Sequence, residues 1–592
     1  MKPARHRPGP DQAITQAAPP PGAASPLLAA ALLAGMVALA AALALPLFLG
    51  NPNLGSDSLR CLLPMHNFMA GQGYTISGAA HLTYPPGFGI LAYLVFLLAR
   101  DIEMSGMIVN LASYLLLTPL LYLCGRQAFG RAAGLLAAFW AATGPYYLKY
   151  SWVNFTDLPF AVFLLLSFYL CLRLLEGGAA PWRGLLLGLG LGYAYLVRPE
   201  GFQIAGLVMA GLGLLALLAW RGHPWAPPAW PRAPRVLLAP LWVGLAFMLL
   251  AGPYLLFLHE HTGRWTISTK FRQTLIVYGE GVVDGFDTRA MERREASPLL
   301  NEAVPLSMPG YIRQQGWKFP LRVWRNLLDE ARLLVKMAYP ALPPALVLGL
   351  WALVRRRRGQ PKQTAADPWP APRGLYLAGA MLVFVSPLAG LLIFYINDRF
   401  LLGYSLFGLL LLAGLNAWLL RRLLPPDRQM LGLGLVALAG LLSVSGLGQA
   451  LWPGLPRPLR PPLALTEVLA ERHANAGVRA AGLWLNRQGM GGGNFVVAGV
   501  KKLETFIFYA KGQDPNVGLP LATLQASHTL EEVAAMLKEG RADFLMLDQH
   551  YVHSYPALRR LWQDPGLADG LGIKLWHADP GGRFMLFKAA GR

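Results

Sequence analysis

Residues 26–58 read PLLAAALLAGMVALAAALALPLFLGNPNLGSDS. The first part, Pro26–Gly50, is an unbroken apolar run long enough to cross about 30 Å of hydrocarbon as a helix. Within a few residues it gives way to a lone carboxylate, Asp57. An acid placed immediately outside a membrane span points to chemistry done at the bilayer surface rather than passage through it.

The rest of the chain extends that pattern. Of its 592 residues, 55% are hydrophobic and 14% charged, and the mean hydropathy is +0.40. Apolar stretches recur at roughly 26–50, 104–123, 131–147, 157–175, 182–197, 202–220, 236–257, 336–354, 374–395, 400–420 and 430–448. The fold class expected is therefore an α-helical polytopic membrane protein with about eleven transmembrane helices. The segment 86–99 is apolar but too short to span, and suits a helix along the interface.

Positive charge sets the orientation, because short cytoplasmic loops collect Lys and Arg. With 86–99 outside the count, one side holds Lys2, Arg5, Arg7, Arg126, Arg131, Arg173, Arg183, Arg221, Arg232, Arg235, Arg355–Arg358, Lys362, Arg373, Arg421, Arg422 and Arg428. The short loops of the other side hold only Arg60, Arg100, Lys149, Arg198 and Arg399. Counting 86–99 as a span reverses this bias. The N-terminus is expected inside and the C-terminus outside, in a plasma (inner) membrane. The same asymmetry accounts for much of the net charge of +21, so no nucleic-acid partner is expected. Cys61, Cys124 and Cys171 lie in different segments and show neither a disulfide framework nor metal spacing.

Three regions follow: a basic cytoplasmic tail, 1–25, reading as part of a retained signal anchor; a membrane domain, 26–450, with outer loops 51–103 and 259–335; and a soluble extracytoplasmic domain, 451–592. In the second loop Gly310–Leu334 reads as an amphipathic interfacial helix carrying Tyr311, Trp317, Phe319 and Trp324. In the last region helices at Leu465–Arg487 and Leu530–Glu539 alternate with strands at Phe495–Ala498, Phe544–Leu547 and Phe584–Phe587, which gives an α/β domain.

Four polar positions stand out at outer span ends. Asp57 suits a general base or a metal ligand acting on a hydroxyl at the interface, or equally the N-cap of the helix that starts there. Asp157, in Asn154-Phe155-Thr156-Asp157-Leu158-Pro159, opens a span; with Asp57 it fits a shared divalent cation or an acid–base pair, and alone it fits a cap. Arg198, in Arg198-Pro199-Glu200-Gly201, and Arg399, in Asn397-Asp398-Arg399-Phe400, suit bidentate contact with a phosphate diester, or local pairing with Glu200 and Asp398. There is no Gly-x-Ser-x-Gly elbow, no Gly-x-x-x-x-Gly-Lys loop, no His-Glu-x-x-His and no dinucleotide fingerprint. The histidines are scattered.

Taken in order, Gly55-Ser56-Asp57-Ser58, Gly71-Gln72-Gly73-Tyr74 and Tyr84-Pro85-Pro86-Gly87, then Asp157, Arg198-Pro199-Glu200-Gly201 and Asp398-Arg399-Phe400-Leu401, resemble membrane glycosyltransferases of the C superfamily. The likeness is to the branch with protein O-mannosyltransferases and the aminoarabinose transferase of lipid A, and covers about residues 26–450. It implies a helical bundle with its active site at the outer interface, and transfer of a sugar from a polyprenyl-phosphate donor to a glycolipid, cell-envelope polymer or protein, with inversion. Asp57 and Asp157 are then catalytic, Arg198, Glu200, Arg399 and Tyr84 bind substrate, and no cofactor is required beyond an optional divalent cation. The chain departs from protein O-mannosyltransferases, which commonly pair acids in the first loop, because Ser56 and Ser58 flank Asp57 here. The competing expectations are a transporter or flippase of lipid-linked saccharides, and a non-catalytic receptor. A transporter is expected to carry repeats and mid-membrane polar groups, and the apolar runs here are nearly free of charge.

Overall fold

The computed structural model describes residues 26–269 except 51–53 and 77, 308–357, 371–447 except 394–395, and 461–591 except 471–475, 492–494, 498–499, 513–528 and 550–551. The expected N-terminal tail and the centre of the 259–335 loop lie outside the described residues.

The chain starts with α1 (Pro26–Gly50), α2 (Ser56–Met69), a two-stranded hairpin β1–β2 (Thr75–Ile76, Ala79–Ala80) and α3 (Gly87–Ala99). The bundle continues with α4 (Ile102–Phe129), α5 (Arg131–Thr143), α6 (Pro145–Lys149), α7 (Asp157–Gly177), α8 (Pro181–Val197), α9 (Glu200–Trp220) and α10 (Ala239–Thr262). After the long loop come α11 (Met308–Gln315), α12 (Lys318–Met337), α13 (Leu342–Arg357), α14 (Ala371–Val385), α15 (Pro387–Leu391), α16 (Asp398–Leu423) and α17 (Gln429–Val444). Among the described residues eight helical segments are long and apolar enough to cross a membrane, and nine if the pair Lys318–Met337 and Tyr339–Arg357, bent by 59°, is one broken span.

The eleven expected spans are thus eight or nine full crossings plus shorter helices. The 131–147 run breaks at Gly144, which is extended at φ −72°, ψ 119° ahead of Pro145, because the proline ring disfavours a helical residue before it. The 182–197 run is a helix of 17 residues. The 86–99 segment is the short helix α3, about 20 Å long at 1.5 Å per residue.

Small residues set how closely the helices pack. Gly184, Gly188 and Gly192 share one face of α8, against α10. A Cβ on Gly188 would stand 2.3 Å from the Val243 carbonyl oxygen, so only glycine allows this approach, as in other close-packed membrane helix pairs.

The C-terminal part contains α18 (Leu465–Ala470), α19 (Ala476–Arg487), α20 (Val500–Ala510), α21 (Leu530–Lys538), α22 (Pro556–Gln563) and α23 (Leu567–Gly570). Its four strands, β3 (Phe495–Val497), β4 (Phe544–Asp548), β5 (Ile573–Ala578) and β6 (Phe584–Ala589), are ordered β3-β4-β6-β5. Only β3 and β4 run parallel. Strand alternation divides the sheet into two faces. Leu545, Leu547 and Phe587 pack with α21 and α22, whereas Met546, Phe584 and Leu586 pack with α19 and α20. The second face does not stop at those helices. Val478, Ala481, Leu485, Phe506 and Tyr509 share one apolar cluster with Leu54, Leu59, Leu62, Phe88 and Ile102 of the segment between α1 and the start of α4.

Candidate active site

The six singled-out residues meet at one end of the bundle, where α2, α7, α9 and α16 begin and α8 ends. Asp57 is in the first turn of α2 and is not its cap: the N-cap is Gly55, whose amide donates to Ser58 Oγ at 3.2 Å. Its carboxylate is left for tertiary contacts. Oδ2 accepts from Arg399 Nη1 at 3.1 Å and Oδ1 from the Tyr84 hydroxyl at 3.4 Å.

Asp157 is the first residue of α7 and is only 1% exposed. Arg198 Nη1 donates to its Oδ1 at 2.5 Å, and Arg399 Nε lies 3.2 Å from its Oδ2. The latter contact is a charge contact, not aligned as a hydrogen bond. Arg198 closes the C-terminus of α8 and spends its other terminal nitrogen on Glu200 Oε1 at 2.8 Å. The five groups form one alternating row, Asp57, Arg399, Asp157, Arg198, Glu200.

Aromatic rings hold the guanidiniums in plane. Arg399 lies 3.9 Å over the Phe155 ring, and Arg198 lies over the Phe160 and Phe400 rings at 5.4 and 5.6 Å. Burial pulls the Arg198 ionisation down, but the Glu200 and Asp157 carboxylates outweigh it and hold it above the ordinary arginine value. Burial, followed by the Asp57 charge, raises the Tyr84 phenol well above its usual range. Tyr84 therefore keeps its proton and serves as a donor to Asp57.

The Tyr84-Pro85-Pro86-Gly87 motif fixes this geometry. The Tyr84 carbonyl accepts from the Tyr74 hydroxyl at 2.9 Å, and its ring stacks on His81 at 5.8 Å. Gly87 is seated on the α8 backbone just before Arg198: a Cβ there would stand 2.6 Å from the Leu196 carbonyl carbon. The Tyr193 hydroxyl donates to the Gly87 carbonyl at 3.0 Å.

The two local alternatives for the arginines have different outcomes. Arg198 does pair with Glu200. Asp398, by contrast, accepts from the Arg399 backbone amide at 3.0 Å and pairs with Lys149 at 3.9 Å, and the Arg399 side chain serves Asp57 and Asp157 instead. A cation shared by Asp57 and Asp157 does not fit this arrangement, because the Arg399 guanidinium lies between them. Among the described residues, no group of three or more His, Cys, Asp or Glu is placed to hold a metal ion.

The C-terminal unit reaches the site through residues that sequence reasoning missed. Glu103, 2% exposed in the first turn of α4, accepts from Arg479 Nε and Nη2 at 3.2 and 3.1 Å and from the Tyr509 hydroxyl at 2.8 Å. The Tyr509 oxygen in turn accepts from the Leu54 amide at 3.0 Å, three residues before Asp57. Burial, then the Glu103 charge, raises the Tyr509 phenol well above its ordinary value, so it remains protonated. The only local signal is an acid, Glu103, at the start of an apolar span.

Comparison with known proteins bears on this geometry. Residues 83–239 match the family model of dolichyl-phosphate-mannose-protein mannosyltransferases, a stretch that holds Tyr84, Asp157, Arg198 and Glu200. The structure is similar to that of ArnT from Cupriavidus metallidurans bound to undecaprenyl phosphate: TM-score 0.51, 14% identity, covering 95% of this chain and 98% of that one. It is also similar to the archaeal oligosaccharyltransferase AglB from Archaeoglobus fulgidus in complex with an inhibitory peptide and a dolichol-phosphate: TM-score 0.50, 13% identity, covering 94% and 74%. No curated protein matches. The chain has the fold of the C-superfamily membrane glycosyltransferases, as its motifs imply.

Proposed function

We propose that this protein transfers a sugar from a polyprenyl-phosphate donor to a hydroxyl- or amine-bearing acceptor, a glycolipid, cell-envelope polymer or protein, at the outer face of the membrane. The observation that carries the reading is the alternating row of acids and arginines at helix ends. The opposite helix ends carry Arg126, Arg355–Arg357, Arg421 and Arg422, which suits the cytoplasmic side. The lipid tail of a donor stays in the bilayer while its phosphate reaches the row, and no nucleotide fold is needed.

Asp57 is the base. It is the more exposed of the two central acids, 37% against 1% for Asp157, and so is open to an acceptor. Its carboxylate takes the acceptor's proton as the acceptor oxygen or nitrogen forms a bond to the anomeric carbon. The bond from that carbon to the phosphate oxygen breaks on the opposite face, and the polyprenyl phosphate leaves with the electron pair, so the configuration inverts. Charge grows on the phosphate during this step. Arg399, set between Asp57 and Asp157, offsets it, and Arg198 and the amino ends of α7, α9 and α16 add positive potential. Asp157 is a positioning group that fixes both guanidiniums at once.

Purified protein in proteoliposomes with a radiolabelled polyprenyl-phosphate sugar tests this. Wild type should release polyprenyl phosphate and label an acceptor, while Asp57→Asn, equally expressed, should not. Undiminished transfer by the variant removes the base assignment, and translocation of an intact donor by wild type would show a transporter instead.

A further inference from the structure

Helix α12 turns its polar side inward. Its buried residues are Arg322, Asn326, Glu330 and Met337, and the first three are spaced by four, so they lie along one face. Trp324, Leu327, Leu328 and Val335 are exposed, the surface a helix presents to lipid. A seam between two membrane helices closes best with small or apolar side chains, and a row of guanidinium, amide and carboxylate is costly there unless something polar meets it.

What α12 faces is the helix that carries Arg399. It packs on α16, and Asn326 Nδ2 donates to the Leu392 carbonyl at 2.8 Å, in the turn leading to α16. On α16, Tyr404 is 2% exposed and within electrostatic reach of Glu330, Glu200 and Arg198. The row on α12 therefore adjoins the site described above. Two buried atoms in this seam, Glu330 Oε2 and the Tyr404 hydroxyl, have no hydrogen-bond partner among the described residues. Both residues are more than nine-tenths buried, and such groups are ordinarily satisfied.

We propose that the inward face of α12, with Tyr404, is the subsite for the glycosyl group of the lipid-linked donor; this rests on the sugar-transfer reading. The chemistry fits a neutral polyol. Glu330 accepts from ring hydroxyls and Tyr404 donates to or accepts from them, while Arg322, bonded to Gln315, and Asn326, bonded to the Leu392 carbonyl, anchor the helix that presents Glu330. The facing charges, one positive and one negative on α12, call for no net charge on the ligand. The neighbouring Arg399 holds the phosphate, with Arg198 adding positive potential behind it, so the anomeric carbon lies between Arg399 and the α12 row, beside Asp57.

The test separates the sugar from the lipid phosphate. Full-length protein in nanodiscs is titrated with undecaprenyl phosphate and with a panel of undecaprenyl-phosphate hexoses and pentoses, using native mass spectrometry. Wild type should bind at least one glycosylated lipid more tightly than the bare phosphate. Glu330→Gln and Tyr404→Phe should each weaken that binding about tenfold, as expected for a hydrogen bond lost in a dry site, and leave the affinity for undecaprenyl phosphate unchanged. Equal weakening for both lipids, or no weakening by either variant, overturns the subsite. Wild type that binds the bare phosphate with no gain from any sugar also overturns the subsite but leaves the phosphate site standing. Binding of none of the lipids overturns the sugar-transfer reading itself.

Discussion

Replacing Arg399 with lysine keeps the charge and removes the fork. The guanidinium contacts Asp57 through Nη1 at 3.1 Å and Asp157 through Nε at 3.2 Å, and stacks over Phe155 at 3.9 Å. A single ammonium on a flexible stem can keep at most one of these contacts. Losing one hydrogen bond to a charged group costs about 1.5–3 kcal/mol, which at about 1.4 kcal/mol per factor of ten is a roughly ten- to hundredfold slower transfer. Folding should survive, because Asp157 retains Arg198 at 2.5 Å. Initial rates in proteoliposomes, over a range of donor and then acceptor concentrations, measure the effect, with a thermal melt as the control for folding. The donor KM should rise or kcat fall while the acceptor KM holds. A folded Arg399→Lys protein with wild-type rates at low and high donor concentration would refute the assignment of Arg399 to the donor phosphate.

Two further outcomes follow from the segment between α1 and α4. Tyr509→Phe removes the acceptor of the Leu54 amide and a donor to Glu103; the cost of about 1–3 kcal/mol for leaving such buried groups unmet should show as faster hydrogen exchange at Leu54 and a several-fold slower transfer, and unchanged exchange would show that the C-terminal unit does not hold Asp57 in place. His81 has its pKa lowered from 6.5 to about 3, by burial first and then by Arg60. Because the folded value lies below the unfolded one, the loop keeps full stability above about pH 6.5 and loses it as the pH falls toward about 3, by at most about 4–5 kcal/mol. Limited proteolysis across that range should find residues 70–86 increasingly cleavable in wild type and less pH-sensitive in His81→Gln, and a flat wild-type profile would contradict the burial argument.

The membrane part was legible because its signals are one-dimensional. Apolar length gives spans; Asp57, Asp157, Arg198 and Arg399 stood out because each interrupts apolar sequence at a span end, and the structure brings those ends together. Partnership was not legible. Asp57 and Arg399 are 342 residues apart, and nothing in the spacing of either reveals that the Arg399 guanidinium contacts both acids. The bond from Tyr509 to Glu103 spans 406 residues, and its helix, Val500–Ala510, carries the run Phe506-Ile507-Phe508-Tyr509, whose β-forming residues mask helical periodicity. The reading of 310–334 as one amphipathic helix is corrected by the structure, which breaks the run at Gly316, φ +53°, into α11 and α12; lipid on the outside reverses which face of α12 is protected, so Arg322, Asn326 and Glu330 carried no signal of burial.

The central claim is that Arg399, positioned by Asp157 within the row of acids and arginines, grips the phosphate of a lipid-linked sugar beside Asp57. The most direct measurement is an electron cryomicroscopy structure of the Asp57→Asn protein in nanodiscs with a polyprenyl-phosphate sugar. The account predicts phosphate density within hydrogen-bonding distance of the Arg399 guanidinium, with the sugar between residue 57 and Glu330. Phosphate density at the opposite ends of the helices, or on the C-terminal unit away from Arg198 and Arg399, would contradict it.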